Sequence, residues 1–414
     1  MKQLRIKNWL AIAVLLWGLT AAYSCRGDIE ILESEEIEVE KPEDKPGDKD
    51  EDPDNPIDPE DPEEPEQLIS YKGFYLLNEG NMGMNKATLD FFDFETGKYK
   101  RNIYAERNPD VPKEMGDVGN DIGIYGSKLY AVINVSNKVE VMDAHTTQRL
   151  GQVEIPNCRF IKFHGDYAYV TSYAGPVEIN PDYQQKGFVA KVDTATLEVV
   201  DRCIVGFQPD ELEIVEDKIY VANSGGYMGA GNSDGYERTV SIVDINTFEE
   251  EGRIDVAMNL EMVRADQRGN LWVSSRGDYF NESSKLFFID RDKHEVTDTI
   301  DVLVSSMWMD EDLLYVMGNG FSYITGGWTA SYTIIDTSTR KVVFEQIVTD
   351  GTEQDFETPY GIMVHPITKD IYITDAGDYV TPGVLYCFDK HGKKKWDVRT
   401  GDIPAHFALL PDKK

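Results

Sequence analysis

Short runs of alternating apolar and polar residues, each ending in aspartate, recur along most of this chain. They end at Asp93, Asp143, Asp193, Asp244, Asp290, Asp336 and Asp389, with successive spacings of 50, 50, 51, 46, 46 and 53 residues. Alternation with a period of two is the mark of a strand with one buried face. An aspartate at the strand end starts a turn, because its side chain bonds the backbone two residues on. A second strand precedes each run and is centred on an aromatic residue: Tyr75, Tyr130, Tyr169, Tyr220, Trp272, Tyr315 and Tyr372. A third strand precedes both, often opening on Pro or Asn, at Asn120, Asn157, Pro209, Asn259, Ser305 and Pro359. Its seventh copy closes the chain, from Pro404 to Leu410.

A repeat of about 40–50 residues made of short strands is the signature of a β-propeller blade. Seven copies predict seven blades, each with strands A (innermost) to D (outermost). The first blade starts at its B strand, near Tyr71, so its A strand must come from the C-terminus. That closure leaves no free sheet edge in the ring. The predicted fold is all-β: a seven-bladed β-propeller spanning 67–414, closed by the C-terminal strand.

The segment ahead of the ring differs in character. Residues 1–24 read as a secretory signal, with Lys2, Arg5 and Lys7 before the apolar stretch Leu10 to Leu19. That stretch is short for a membrane span. It ends at Ala22-Tyr23-Ser24-Cys25, which resembles a bacterial lipoprotein processing box with Cys25 as the lipidated residue. Lipid chains would anchor the protein without spanning the membrane. Residues 25–66 form an acidic tether: positions 28–66 hold 20 Asp/Glu, 3 Lys and 7 Pro. Such a composition cannot bury enough surface to fold and is expected to be disordered and extended. Its full reach is on the order of 130 Å.

Charge narrows the ligand classes. Of the formal −34, the tether carries −17 and the first 27 residues +4, leaving −21 on the ring. An acidic ring argues against nucleic acid, which needs a basic stripe, and against direct docking on anionic headgroups. Apart from Cys25, the cysteines are Cys158, Cys203 and Cys387, all within apolar strand patterns. They read as small buried hydrophobes, with a Cys158–Cys203 disulfide as the minor alternative.

In a propeller the B–C and D–A connections open on one face. The B–C loops here are mostly long: 78–87, 172–188, 223–238, 275–284, 319–330 and 375–382. They mix Tyr, Trp and Phe with Gly, Asn and Ser, which combines rigid contact area with adaptable hydrogen bonding. The A-strand starts add Asp117, Asn120, Asn157, Arg159, Gln208, Asp210, Glu211, Asn259, Glu261, Trp308, Tyr360 and His406 around the channel mouth. We expect ligand contacts from Asn78, Met82, Asn120, Arg159, Tyr173, Tyr227, Tyr236, Tyr279, Phe280, Phe321, Trp328, Tyr360 and Tyr379. No nucleophile elbow, phosphate loop or HExxH helix is present, so no catalytic residue, resident metal or cofactor is expected.

The segment Leu76 to Asp93, LLNEGNMGMNKATLDFFD, resembles the opening of YncE-like propeller lipoproteins of Bacteroidetes, as does Gly116-Asp117-Val118-Gly119-Asn120-Asp121. Within that group the chain is most similar to the BtuG type. The resemblance implies a surface-exposed outer-membrane lipoprotein that captures cobalamin (vitamin B12), or a related corrinoid, for a TonB-dependent outer-membrane transporter. Two other readings stay open. One is a lyase or lactonase in which Asp117, Asp210, Glu211 and Glu261 hold a divalent cation. The other is a surface adhesion or interaction module.

Overall fold

The computed structural model describes residues 34–39, 70–180, 182, 184–229, 235–322 and 327–413. Seven antiparallel sheets stand around a central channel, six of four strands and one of five. Each inner strand contacts the inner strands of both neighbours, so the ring is closed. The closure is the expected one. Pro404–Pro411 is the inner strand of blade 1 and pairs with Tyr71–Asn78, which pairs in turn with Thr88–Asp93 and Lys98–Arg101.

The two sequence signals have separate jobs. All seven aspartates close C–D turns. Asp143 Oδ1 accepts the N–H of Thr146 at 2.8 Å, and Asp193, Asp244 and Asp336 accept from Thr196, Thr247 and Thr339 in the same way. The residue after that threonine turns left-handed: Thr147, Leu197, Phe248 and Arg340 have φ between 57° and 60°. The aromatics of the B strands sit between blades. Tyr75 packs with blade 2, Tyr130 with blade 3, Tyr169 with blade 4, Tyr220 with blade 5, Trp272 with blade 6, Tyr315 with blade 7, and Tyr372 back with blade 1. The core is therefore a set of seven inter-blade clusters. Each burial removes a large apolar side chain from water, worth roughly 1.5–3 kcal/mol for a residue of this size.

Two features depart from the expectation, and the cysteines follow its main reading. Residues Glu35–Glu38 form a fifth strand on the outer edge of blade 1, so the tether is not extended spacer throughout. The predicted loop 319–330 is mostly strand: Leu313–Ser322 and Gly327–Asp336 run on as one long hairpin with Phe321 opposite Trp328. Cys158, Cys203 and Cys387 are free and buried. Cys158 and Cys203 occupy the inner and outer strands of blade 3, three strand spacings apart. That is roughly 14 Å, too far for a disulfide. The signal segment, Cys25 and most of the tether lie outside the described residues. Among the described residues no helix is long and apolar enough to cross a membrane.

Ring closure generates a prediction. Ending the chain at Gly401 removes the inner strand of blade 1 and leaves Phe74 and Leu76 exposed. The truncated protein should lose cooperative thermal unfolding, read by circular dichroism. A melt like that of the full chain contradicts the closure.

Candidate functional site

The channel mouth is shaped by interruptions of the inner strands. In six blades the A–B pairing shifts register at the A-strand start: at Asn120, Arg159–Phe160, Asp210–Glu211, Glu261–Met262, Tyr360–Gly361 and Ala405. A bulge leaves a residue unpaired and re-aims its side chain. The freed backbone groups find other partners. Thr171, Ser274 and Thr374 of the B strands accept the N–H of Phe160, Met262 and Gly361 at 3.0, 3.0 and 2.7 Å. Carboxylates of neighbouring blades take others: Asp121 accepts from Ile161 at 2.8 Å, and Glu211 from Val263 at 2.9 Å. Blade 6 is the exception, pairing without a shift over Ser306–Asp310.

A cavity of about 1010 Å³ opens at this mouth and extends off the axis toward blades 5 and 6. One wall is the B–C loop of blade 5, Tyr279 to Ser284, and the facing wall is Leu303 to Trp308 of blade 6. The floor and far side carry Asn120, Arg159, Glu211, Arg264, Tyr360 and His406. Tyr279 and Phe280 stand at the rim, 54% and 69% exposed. A smaller cavity of about 450 Å³ lies around Trp308, Asp310 and Tyr71 at the opposite end.

Charges in the mouth are paired among themselves. Asp210 is fully buried and receives Arg159 Nε at 3.1 Å, Arg276 at 2.9 Å and the Tyr173 hydroxyl at 2.6 Å. Arg276 also donates to Glu261 at 2.8 Å, and Arg264 pairs with Glu211. Burial alone would raise Asp210, but Arg276 and Arg159 outweigh it and hold the carboxyl below its ordinary range. Burial raises Glu261, because Arg276 offsets only part of the lost hydration. On the blade 1–7 side, Glu79 accepts from Tyr360 at 3.0 Å and lies 3.1 Å from His406 Nε2. Tyr379 packs edge-on to Tyr360 at 5.9 Å, and its carbonyl accepts from Asn81.

The expected contact residues separate into groups. Asn120, Arg159, Tyr279, Phe280, Tyr360 and Tyr379 line the cavity. Tyr173 lies beneath it instead, with the Arg159 guanidinium 4.8 Å above its ring and Tyr227 edge-on at 5.0 Å. Tyr236 is buried and covers Gly229. Asn78 is buried and donates to Thr88 at 3.1 Å, so it closes blade 1 and is not placed to face a ligand. Met82 is 64% exposed on the blade 1 loop and does not line the cavity. Phe321 and Trp328 are placed by their backbones in the blade 6 hairpin; their side chains fall outside the description. Arg276, Arg264 and Glu79 also line the cavity, beyond the contacts expected from the sequence. Two mouth acids, Asp210 and Glu261, with no basic partner assigned were the available hint. Asp117, a candidate metal ligand, accepts the N–H of Gly83 and pins that loop. Among the described residues no group of three His, Cys, Asp or Glu side chains is placed to hold a metal ion.

Together these features define a seven-bladed β-propeller whose main cavity sits at the loop-bearing mouth of its channel. Residues 72–406 match the family described as a domain of unknown function, DUF5074, and the chain belongs to that family. No curated protein matches the sequence. Among solved structures, Kuenenia stuttgartiensis hydrazine synthase is similar at 18% identity and a TM-score of 0.53, over 66% of this chain and 76% of that one. A quinoprotein alcohol dehydrogenase-like protein from Bacteroides thetaiotaomicron aligns at 14% identity and a TM-score of 0.50, over 82% and 78%. A chain of a mitotic checkpoint complex aligns at 11% identity and a TM-score of 0.52, over 86% and 90%. At these identities the likeness shows the fold alone.

The Asp210 network generates a prediction. Asp210→Asn leaves Arg159 and Arg276 without their shared charge, which costs about 3 kcal/mol of stability at neutral pH. Since the carboxyl is depressed in the folded state, its contribution is full above the unfolded value near 4 and lost as pH falls through the folded one. Urea unfolding of the two proteins should therefore differ at pH 7 and converge in strong acid. Equal stability at pH 7 contradicts the role assigned to Asp210.

Proposed function

We propose that this protein is not an enzyme but a corrinoid-capturing lipoprotein. It holds cobalamin or a close relative in the mouth cavity and passes it to a TonB-dependent outer-membrane transporter. The anchor is lipid at Cys25, in the outer membrane with the ring exposed at the cell surface. The observation that carries this reading is the form of the cavity. At about 1010 Å³ it is at the upper end of ordinary ligand sites, which run from roughly 300 to 1,000 Å³. A corrinoid is a broad disc with peripheral amides and an apolar edge. The cavity offers such a disc two walls, with aromatic Tyr279, Phe280 and Trp308 and polar Asn281 and Ser305 among their residues, and Asn319 adds a further amide to the lining. Its arginines and carboxylates largely neutralise one another, which suits a ligand of little net charge.

The cation-dependent lyase or lactonase has less support. Asp210, Glu211 and Glu261 are held by arginines and Asp117 by a backbone N–H. Recruiting them to a cation would break buried ion pairs, and removing one partner of such a pair is costly.

The ligand is tested by mixing the protein with cyanocobalamin and separating by gel filtration. Red colour should travel with the protein, and the dissociation constant should change little between low and high salt. Tyr279→Ala combined with Phe280→Ala should weaken binding about 30-fold, as expected for losing an aromatic anchor worth about 2 kcal/mol. Failure of the unaltered protein to bind any corrinoid contradicts the ligand. The anchor is tested separately: Cys25→Ser should move the protein from the membrane fraction to the soluble one, and unchanged fractionation contradicts lipidation.

A further inference from the structure

The outer edge of blade 1 carries a concentration of positive charge that the acidic ring does not otherwise suggest. Its D strand reads Lys98-Tyr99-Lys100-Arg101. The fifth strand laid against it is Glu35-Glu36-Ile37-Glu38, in antiparallel register with Glu36 opposite Lys100, Ile37 opposite Tyr99 and Glu38 opposite Lys98. The N–H of Val39 donates to Gly97 at 3.1 Å. By the two-residue alternation of an antiparallel ladder, this puts Glu36 and Glu38 at the closely spaced, non-hydrogen-bonded positions, where facing side chains interact most strongly.

Both faces of the added strand are used. Ile37 and Val39 turn toward the cluster of Phe74, Phe92 and Tyr99, where Val39 is only 8% exposed. On the other face Glu36 pairs with Lys98 and with Lys100 at 3.0 Å, while Glu35, on the same face as Ile37, pairs with Arg101. Beyond the strand, the Ser34 hydroxyl donates to Glu106 at 2.7 Å. Glu36 also borders a cavity of about 710 Å³ that includes Lys72, Lys100 and Arg107 in its lining. This edge is built for an extended segment with acidic residues on one face and β-branched residues on the other.

We propose that the basic edge of blade 1 is a strand-addition site whose occupant is the chain's own segment Ser34–Val39, a charge-dependent clasp that fixes where the N-terminal region joins the ring. Left bare, the edge would present unpaired backbone groups and a row of cations to other chains. Clasped, the chain leaves the ring at residue 34, not at residue 70. The consequence for anchoring rests on the lipidation proposed above. The ring is then entered nine positions after Cys25 in place of 45. The reach falls from roughly 150 Å to roughly 30 Å, which holds blade 1 near the membrane.

Hydrogen exchange with mass spectrometry on the full chain tests the clasp without reference to ligand or lipid. At low salt, amides of residues 35–39 should be protected, and 1 M salt should reduce that protection. Lys98→Glu with Lys100→Glu should lower it about tenfold, since each opposed pair becomes repulsive. Adding Glu36→Lys and Glu38→Lys should restore it. Ile37→Pro should abolish it while the other six blades keep their protection, which separates loss of the clasp from loss of the fold. Absent protection in the unaltered chain overturns the proposal, as does failure of the charge swap to restore it. Protection that rises with protein concentration also overturns it, since the strand then comes from a second copy.

Discussion

A blade of four short strands has two apolar faces and can bury neither within itself. Every blade here depends on its neighbours, through B-strand aromatics such as Tyr130 and Trp272 that project into the next blade. The dependence is circular, so it is satisfied only when the first blade meets the last. The pairing of Pro404–Pro411 with Tyr71–Asn78 does this. It brings Phe74, Leu76 and Phe407 against Met363, Tyr372 and Leu385 of blade 7. The fold is therefore a global property of the ring, and local sequence preference enters mainly at the turns, where aspartates set each C–D connection.

The same closed ring creates the site by a failure of its own symmetry. Six inner strands bulge at the channel mouth and turn polar side chains such as Arg159, Asp210 and Glu261 toward the axis. Most of these groups then satisfy one another across blades. Blade 6 does not bulge. Its inner strand and the loop before it face the blade 5 loop across open space, and the cavity lies there. Paired charges hold the rest of the mouth in place, so the arginines line the cavity with their charge already matched by Asp210, Glu211 and Glu261.

Much of this was legible in the sequence, and the exceptions have physical causes. Period-two alternation and the terminal aspartates identified the blades, because each marks a backbone event repeated seven times. The aromatic loops pointed to the face that carries the large mouth cavity. They could not separate Tyr279, which lines the cavity, from Tyr173, which supports Arg159 from below, since burial of a loop residue depends on the neighbouring blade. Asn78 was misread for the same reason: a polar residue at a strand end serves the turn or the ligand equally well on paper. Arg276 stayed hidden because its partner Asp210 is 66 residues away. The clasp was obscured by averaging. Across 28–66 the composition is that of a disordered chain, yet Glu36-Ile37-Glu38-Val39 alternates within it, and the basic strand it meets is over 60 residues distant.

The central claim is that the gap between blades 5 and 6 at the channel mouth receives the ligand. Comparing hydrogen exchange of the protein with and without cyanocobalamin tests it most directly. The account predicts slowed exchange in two separated stretches, 279–284 and 303–308, with the C–D turns on the opposite face unchanged. Slowing at those turns, or no change at either wall under conditions where the corrinoid is bound, would contradict it.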